Sequence, residues 1–447
     1  CSALQVFAKL GQDAQGEVLT IQRFVTDDAP AVRIRAAQAL AHMGIPRSEL
    51  LQILVELLQD EHDDVHHAAG ELFMLVRPRE ATVPHLTRLI EGEDVATVLR
   101  AAHLLSRFER VAQSAVPALV KATARLGEQD AQAILPQALG VIGESAVEYI
   151  IAGLAASQYP ETTLRRYVDA LILIGPDAIS SLANALFHTS PQVRSGAVLT
   201  LGTSGKSAGH LVPKIITLLD DDDAFVRASA AEALGKLGPA ARAAAPILAG
   251  KLNDTVSRVR AAAVGGLGKT AGDDVTYAAL FASALNADEA SVRIAATRVL
   301  SKLPAIATAA AENLVAALVD EDEHVRAGAA RALGVAGKDI ASSVPALVQQ
   351  LRDPVDEVRV EIVRALGAIG ETTPGVIAEL GATIADPSPK VRRQGVLTLR
   401  GLGPDAVPAV PQLVEALDNK DSDFRILVIE SFRPIISDVS ELLKPLL

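Results

Sequence analysis

Arginine and histidine are the residues of this chain that could do chemistry, and their spacing tells them apart. Ten arginines stand at Arg33, Arg165, Arg194, Arg227, Arg260, Arg293, Arg326, Arg359, Arg392 and Arg425, mostly 33 residues apart. A guanidinium is a planar fork of donors that fits a carboxylate or the carbonyls of a tight turn. Acidic residues precede most of these arginines by a few positions, as at Asp28, Asp254, Asp288, Asp322 and Asp386. The row therefore reads as a structural ladder of ion pairs rather than as a ligand site. The nine histidines are scattered. Only His62, His66 and His67 cluster, beside Asp63, Asp64 and Glu71, without the spacing of a metal set or an acid–base pair. Gly202, Gly205, Lys206 and Ser207 have a passing likeness to a phosphate loop but lack its glycine spacing and its preceding strand. A nucleophile elbow is absent. No acidic cluster has the spaced ligands and glycine of a calcium loop. Catalytic residues, metal and cofactor are all assigned as none.

The elements that position these residues follow from a period. Landmarks recur at Val32, Val65, Val98, Ala131, Leu164, Val193, Val226, Val259, Val292, Val325, Val358, Val391 and Phe424. Eleven of the twelve intervals are 33 residues, and Leu164 to Val193 is 29. A helix-rich period of this length predicts stacked helical units, each burying its apolar face on its neighbours. Within one unit, Leu211 to Leu219 carries apolar residues at helical spacing, with Pro213 near its start where a missing amide hydrogen is tolerated. Asp220 to Asp223 breaks the pattern and supplies a turn and an N-cap. Val226, Ala230, Ala233, Leu234 and Leu237 then mark a second helix, stopped by Gly238 and Pro239. Each unit is thus an antiparallel pair, helix A then helix B. Small residues such as Ala230 and Gly235 in helix B are expected to admit close helix contact.

The Asp222, Val226, Arg227, Ala230, Leu234 and Gly235 pattern, repeated at Asp353, Val358, Arg359, Ala365, Leu366 and Gly367, resembles HEAT repeats of the short kind found in phycobilisome (PBS) lyases. The resemblance covers essentially the whole chain. It implies an all-α, armadillo-like α-solenoid, a right-handed superhelix whose concave wall is lined by B helices. It also implies that the matching Asp and Arg form a ladder between repeats. HEAT-like proteins include an iron-dependent hydroxylase family that uses His-Glu pairs; here His67 is followed by Ala68 and no His-Glu pair recurs, so that likeness fails at its ligands. Such repeats serve as scaffolds, adaptors, lyases and nucleic-acid binders, so the family leaves function open.

Positions three, six and ten after each landmark are expected to face outward from helix B. In the C-terminal half they carry Lys236, Lys269, Arg298, Lys302, Arg331 and Arg364, extended by Arg393 and Arg400. This basic strip would suit an acidic face or an extended acidic segment of a protein partner. The expectation is a non-catalytic protein-interaction scaffold or adaptor, the alternative a phycobilin-lyase-like or other protein-modifying subunit. A formal charge of −12 with only 3% aromatic residues weighs against nucleic acid.

At 447 residues the repeat describes one continuous solenoid, 1–447. The contracted interval either bends it near 158–207, separating arms 1–160 and 190–447, or shortens a loop without consequence. One cysteine excludes an intrachain disulfide. No apolar run reaches bilayer length, and a soluble, cytoplasmic protein is favoured. Cys1 could anchor a lipid, although no tether separates it from the apolar stripe Ala3, Val6, Phe7 and Leu10. Extrapolating the period, Leu10 and Gly11 fall at the end of a helix B, and Lys444 to Leu446 inside a helix A. The chain is then a piece of a longer repeat protein, or half-repeats form its ends.

Overall fold

The computed structural model describes residues 16–126, 133–156 and 161–436. Helices joined by turns and short 3-10 segments make up all regular structure among these residues, and no strand occurs. Cys1 and its stripe, Ala131, Gln132 and Lys444 to Leu446 lie outside the described residues. Contacts divide the chain into two compact units, Cys1–Leu211 and Val212–Leu447. Both are all-α stacks of helix pairs, the solenoid that the period predicts.

The B helices of the first unit are α1 (Pro30–Met43), α2 (Asp63–Leu75), α3 (Val95–Ser106), α4 (Ile134–Ile142), α5 (Glu161–Ile174) and α6 (Pro191–Thr203). Those of the second are α7 (Ala224–Leu237), α8 (Ser257–Ala271), α9 (Ala290–Leu300), α10 (Glu323–Ala336), α11 (Asp356–Ile369), α12 (Pro389–Leu402) and α13 (Ser422–Ile435). Each except α4 follows a shorter helix A.

The pair ending in α7 shows how the sequence makes this unit. Helix A runs from Val212 to Thr217 and tightens into a 3-10 turn at Leu218–Asp220. Asp223 then caps α7, its carboxylate accepting from the amides of Phe225 and Val226, which satisfies donors that no earlier carbonyl can reach. Val226, Ala230, Ala233 and Leu234 are fully buried. The helix stops at Gly238, whose φ of 58° and ψ of −131° suit glycine almost alone. Gly337 repeats this after α10.

The landmark valines from Val193 to Val391 are all buried, whereas Val32 is half-buried. Leu164 corrects the sequence alignment. In α5 the fully buried set is Thr163, Tyr167, Ala170 and Leu171, the spacing of Val226, Ala230, Ala233 and Leu234. Thr163 therefore fills the landmark slot, one residue earlier than Leu164, which turns the helix by about 100° relative to the expected face.

Glycines bring the backbones of α7 and α8 close together. A Cβ added to Gly235 would lie 2.9 Å from the Gly266 Cα, and one on Gly266 would lie 2.6 Å from the Ala231 carbonyl oxygen. Gly140, Gly334 and Gly367 likewise face neighbouring helices at distances a side chain could not share.

One described stretch, Glu161–Ala185, has the length and mean hydropathy, 1.2, of a membrane span. Gly175 at φ 73° interrupts it. Its two halves are α5 and the next helix A (Ile179–Ala185), with buried faces typical of the repeat.

Candidate functional site

Two kinds of charge lie on this array: arginines held at the A–B turns, and cations on the free face of the B helices. The first kind makes a recurring rung. Arg227 Nε and Nη2 donate to the two carboxylate oxygens of Asp254 at 2.9 and 3.0 Å. Its Nη1 donates to the carbonyls of Asp221 and Asp222. Asp254 is oriented beforehand, because one of its oxygens accepts from the Val256 amide at 2.9 Å. The same geometry joins Arg326 to Asp353 and Arg359 to Asp386; Arg33 and Arg293 pair with Asp60 and Asp320 through one hydrogen bond from Nη2, with Nε 2.8 and 2.7 Å from the second carboxylate oxygen. Each rung ties one B helix to the turn of the next repeat. The hydrogen bond from Arg227 holds the Asp254 carboxyl below its ordinary range against the opposing effect of burial, so both groups stay charged near neutrality.

The sequence pointed to the wrong acids in part. The partner carboxylate lies 27 residues after the arginine, at Asp60, Asp254, Asp320, Asp353 and Asp386. Asp28 and Asp288 give Arg33 and Arg293 only their carbonyls, and Asp322 caps α10. The constant spacing of 27 is a signal that a search of nearby acids passes over. Arg260 has Ala287 at that distance and turns to Glu289, 2.5 Å away. Arg194 donates to the carbonyls of His188 and Thr189, and Arg425 to that of Asn419. Arg165 does not belong to the ladder: it is exposed and forms none of these bonds with the described residues. The turned register of α5 buries Arg166 instead, which donates to the Leu126 carbonyl at 2.6 Å. Arg100, overlooked in the sequence, donates to the carbonyls of Leu58 and Asp60.

Arg392 is a rung without its carboxylate. Its Nη1 donates to the carbonyls of Asp386 and Pro387, but its buried Nε has no partner and Asn419 stands 27 residues on. Asn419 already accepts from the Asp421 amide, in the pose that aspartate takes elsewhere. Asn419→Asp is therefore expected to raise stability by about 1 kcal/mol, read as a rise in the urea midpoint. An equal gain in an Arg392→Ala background would contradict the rung rule.

On the B-helix face, positions six and ten after the landmark are mostly exposed, as predicted. Position three is not: Ser229, Gly328 and Glu361 are buried, because this position lies in the seam with the preceding helix. That burial divides the basic strip. Glu361, 3% exposed, receives Arg331 Nη2 at 3.0 Å and Arg364 Nη1 at 2.9 Å. Arg364 also donates to Gln394. Lys236 pairs with Glu232 at 2.8 Å and Arg393 with Asp421 at 3.4 Å. Lys269, Arg298 and Lys302 are exposed and, like the half-buried Arg400, have no ion-pair partner among the described residues. Of the eight strip residues, four are thus bound by carboxylates. The free exposed charge concentrates on α8, α9 and the residue pair just past α9.

The chain was compared with known proteins. A family model described as HEAT repeats matches residues 3–72, 19–106, 179–268, 212–301, 311–400 and 344–433, together well over half of the sequence. No curated protein matches. Among solved structures the chain is similar to importin beta (TM-score 0.60, 14% identity), covering 98% of this chain and 64% of that one. It is also similar to Kap121p bound to RanGTP (TM-score 0.55, 17% identity, 95% of this chain and 50% of that one). The Kap95:Nup1 complex gives TM-score 0.54 at 15% identity, over 98% of this chain and 70% of that one. The chain spans less than two thirds of the importin beta and Kap121p chains. At such identities these likenesses speak to the fold, which they share with the repeat found in the sequence and the helix pairs described above: the chain belongs to the HEAT repeat family.

Proposed function

We propose that this protein is a non-catalytic interaction scaffold that recognises an acidic, extended segment of a protein partner through the B-helix face of α8 to α10. The observation that carries the reading is the segregation of charge. The array ties six of its turn arginines to its own carboxylates, yet leaves Lys269, Arg298 and Lys302 exposed and without an ion-pair partner among the described residues. Free cations on neighbouring helices in a chain of net charge −12 concentrate a local positive field that steers acidic partners. Helix axes about 10 Å apart would spread this field over several residues of an extended ligand. The fold neighbours include complexes with RanGTP and with Nup1, which supports protein binding as a use of this fold. Arg331 and Arg364 contribute less than their exposure suggests, because Glu361 neutralises one of their two charges.

Affinity capture with the full chain from its source cell tests the reading. An acidic protein should be retained at low salt, lost at moderate salt, and lost from the Lys269→Glu, Arg298→Glu, Lys302→Glu variant. Equal retention by the variant would contradict it. Co-purification of a chromophore absorbing visible light would instead support the alternative drawn from the short-repeat resemblance, a PBS-lyase-like subunit.

A further inference from the structure

One of the free cations, Arg298, lines a hollow of about 320 Å³ formed by α9, α10 and the start of α11. Its lining includes Ile294, Ala327 and Val355, with Arg298 and Arg331 at its edge. Ala327 leaves the space. It occupies the second position after the landmark, where α7 and α8 also carry alanine (Ala228, Ala261) but α9 carries Ile294, α11 Val360, α12 Arg393 and α13 Ile426. A larger side chain there would fill the depression. Of the other charged residues in the lining, Glu357 is bound by Lys390 at 3.1 Å and Arg331 by Glu361 at 3.0 Å, while Glu323 has, among the described residues, only the neighbouring His324 at 3.9 Å. Arg298 is the lining cation with no ion-pair partner among the described residues, and it stands beside the half-buried Ile294 and Val355 and the buried Ala327.

Resting on the reading above, we infer that this hollow is a specificity pocket that seats one aliphatic side chain of an acidic segment, while a neighbouring carboxylate of the same segment pairs with Arg298. The two demands are complementary. Charge brings any acidic segment to Lys269, Arg298 and Lys302, without distinguishing one from another. A leucine-sized side chain over Ile294, Ala327 and Val355 adds buried apolar area that only some segments provide, and so sets register and choice of partner. An aromatic cage is not available, because no aromatic residue lines the hollow.

The test uses two fluorescent peptides, one of glutamates with a single central leucine and one with alanine at that place, titrated against the whole protein. The leucine peptide is expected to bind about tenfold more tightly, the effect of burying most of the additional methyl and methylene groups. In Ala327→Leu, with its helical signal checked by circular dichroism, the two peptides should bind alike and as weakly as the alanine peptide binds the parent. Equal affinities for the parent protein overturn the pocket while leaving the acidic-segment reading intact. A leucine preference that survives in Ala327→Leu also overturns it, by placing the contact elsewhere. Failure of both peptides to bind at low salt overturns the pocket together with the reading on which it rests.

Discussion

Asp353→Ala is expected to destabilise the second unit by about 3–5 kcal/mol, the cost of leaving a buried charge without its partner. The Asp353 side chain is 2% exposed and holds Arg326 Nε at 2.6 Å and Nη2 at 3.1 Å. It also accepts from the Val355 amide, so three donors lose an acceptor at once. The Arg326 side chain, only 12% exposed, cannot turn far enough for its guanidinium to recover full hydration. The effect should be local, since each repeat of a stacked array touches only its neighbours. Hydrogen exchange should rise first in α10 and α11, with a lower urea midpoint for the unit. Replacing both partners together, as Arg326→Met with Asp353→Leu, should restore much of the loss, because no uncompensated charge remains. A double variant as unstable as the single one would show that the rung matters through shape and not through charge.

Two adjacent glycines in α8 should respond to alanine with opposite signs. Gly266→Ala places a methyl group 2.6 Å from the Ala231 backbone oxygen and 3.3 Å from a methyl of Leu248. A backbone atom cannot move aside as the end of a side chain can, so α7 and α8 must separate. Overpacking of this kind costs about 1–3 kcal/mol, against about 1 kcal/mol gained in helix propensity, and the sum should be destabilising. Gly265→Ala meets nothing within 4 Å, so only the propensity gain of about 0.5–1 kcal/mol remains. Thermal or urea unfolding of the two variants reads the difference directly. A stabilising Gly266→Ala would mean that the seam between α7 and α8 is not close-packed at Gly266.

The landmark valines made the fold legible because their period depends on local pattern alone. Val226, Ala230 and Leu234 repeat at helical spacing, and Asp and Gly punctuate them in many units, so no distant contact had to be guessed. What escaped was whatever depends on neighbours across the seam. Glu361 occupies a position that reads as outward on an isolated helix, and only the preceding helix buries it. It then takes up two arginines that the sequence left free. The true partner of Arg227 is Asp254 in the next repeat, whereas a reading by proximity along the chain favours acids of the same turn. Leu164 was misaligned because a contracted interval removes the count on which the alignment relied. The surviving part of the strip, Lys269, Arg298 and Lys302, is that for which neighbouring helices supply no acid.

The claim that most needs testing is this division between charges the array uses and charges it presents. Fluorescence anisotropy of a decaglutamate peptide should be measured with the parent protein and with Lys269→Glu, Arg298→Glu, Lys302→Glu, at about 50 and about 200 mM salt, where screening lengths differ twofold. The parent should bind, and bind more weakly at the higher salt, while the variant loses at least tenfold in affinity and most of its salt dependence. Binding that is insensitive to salt, or equal in parent and variant, would contradict the account.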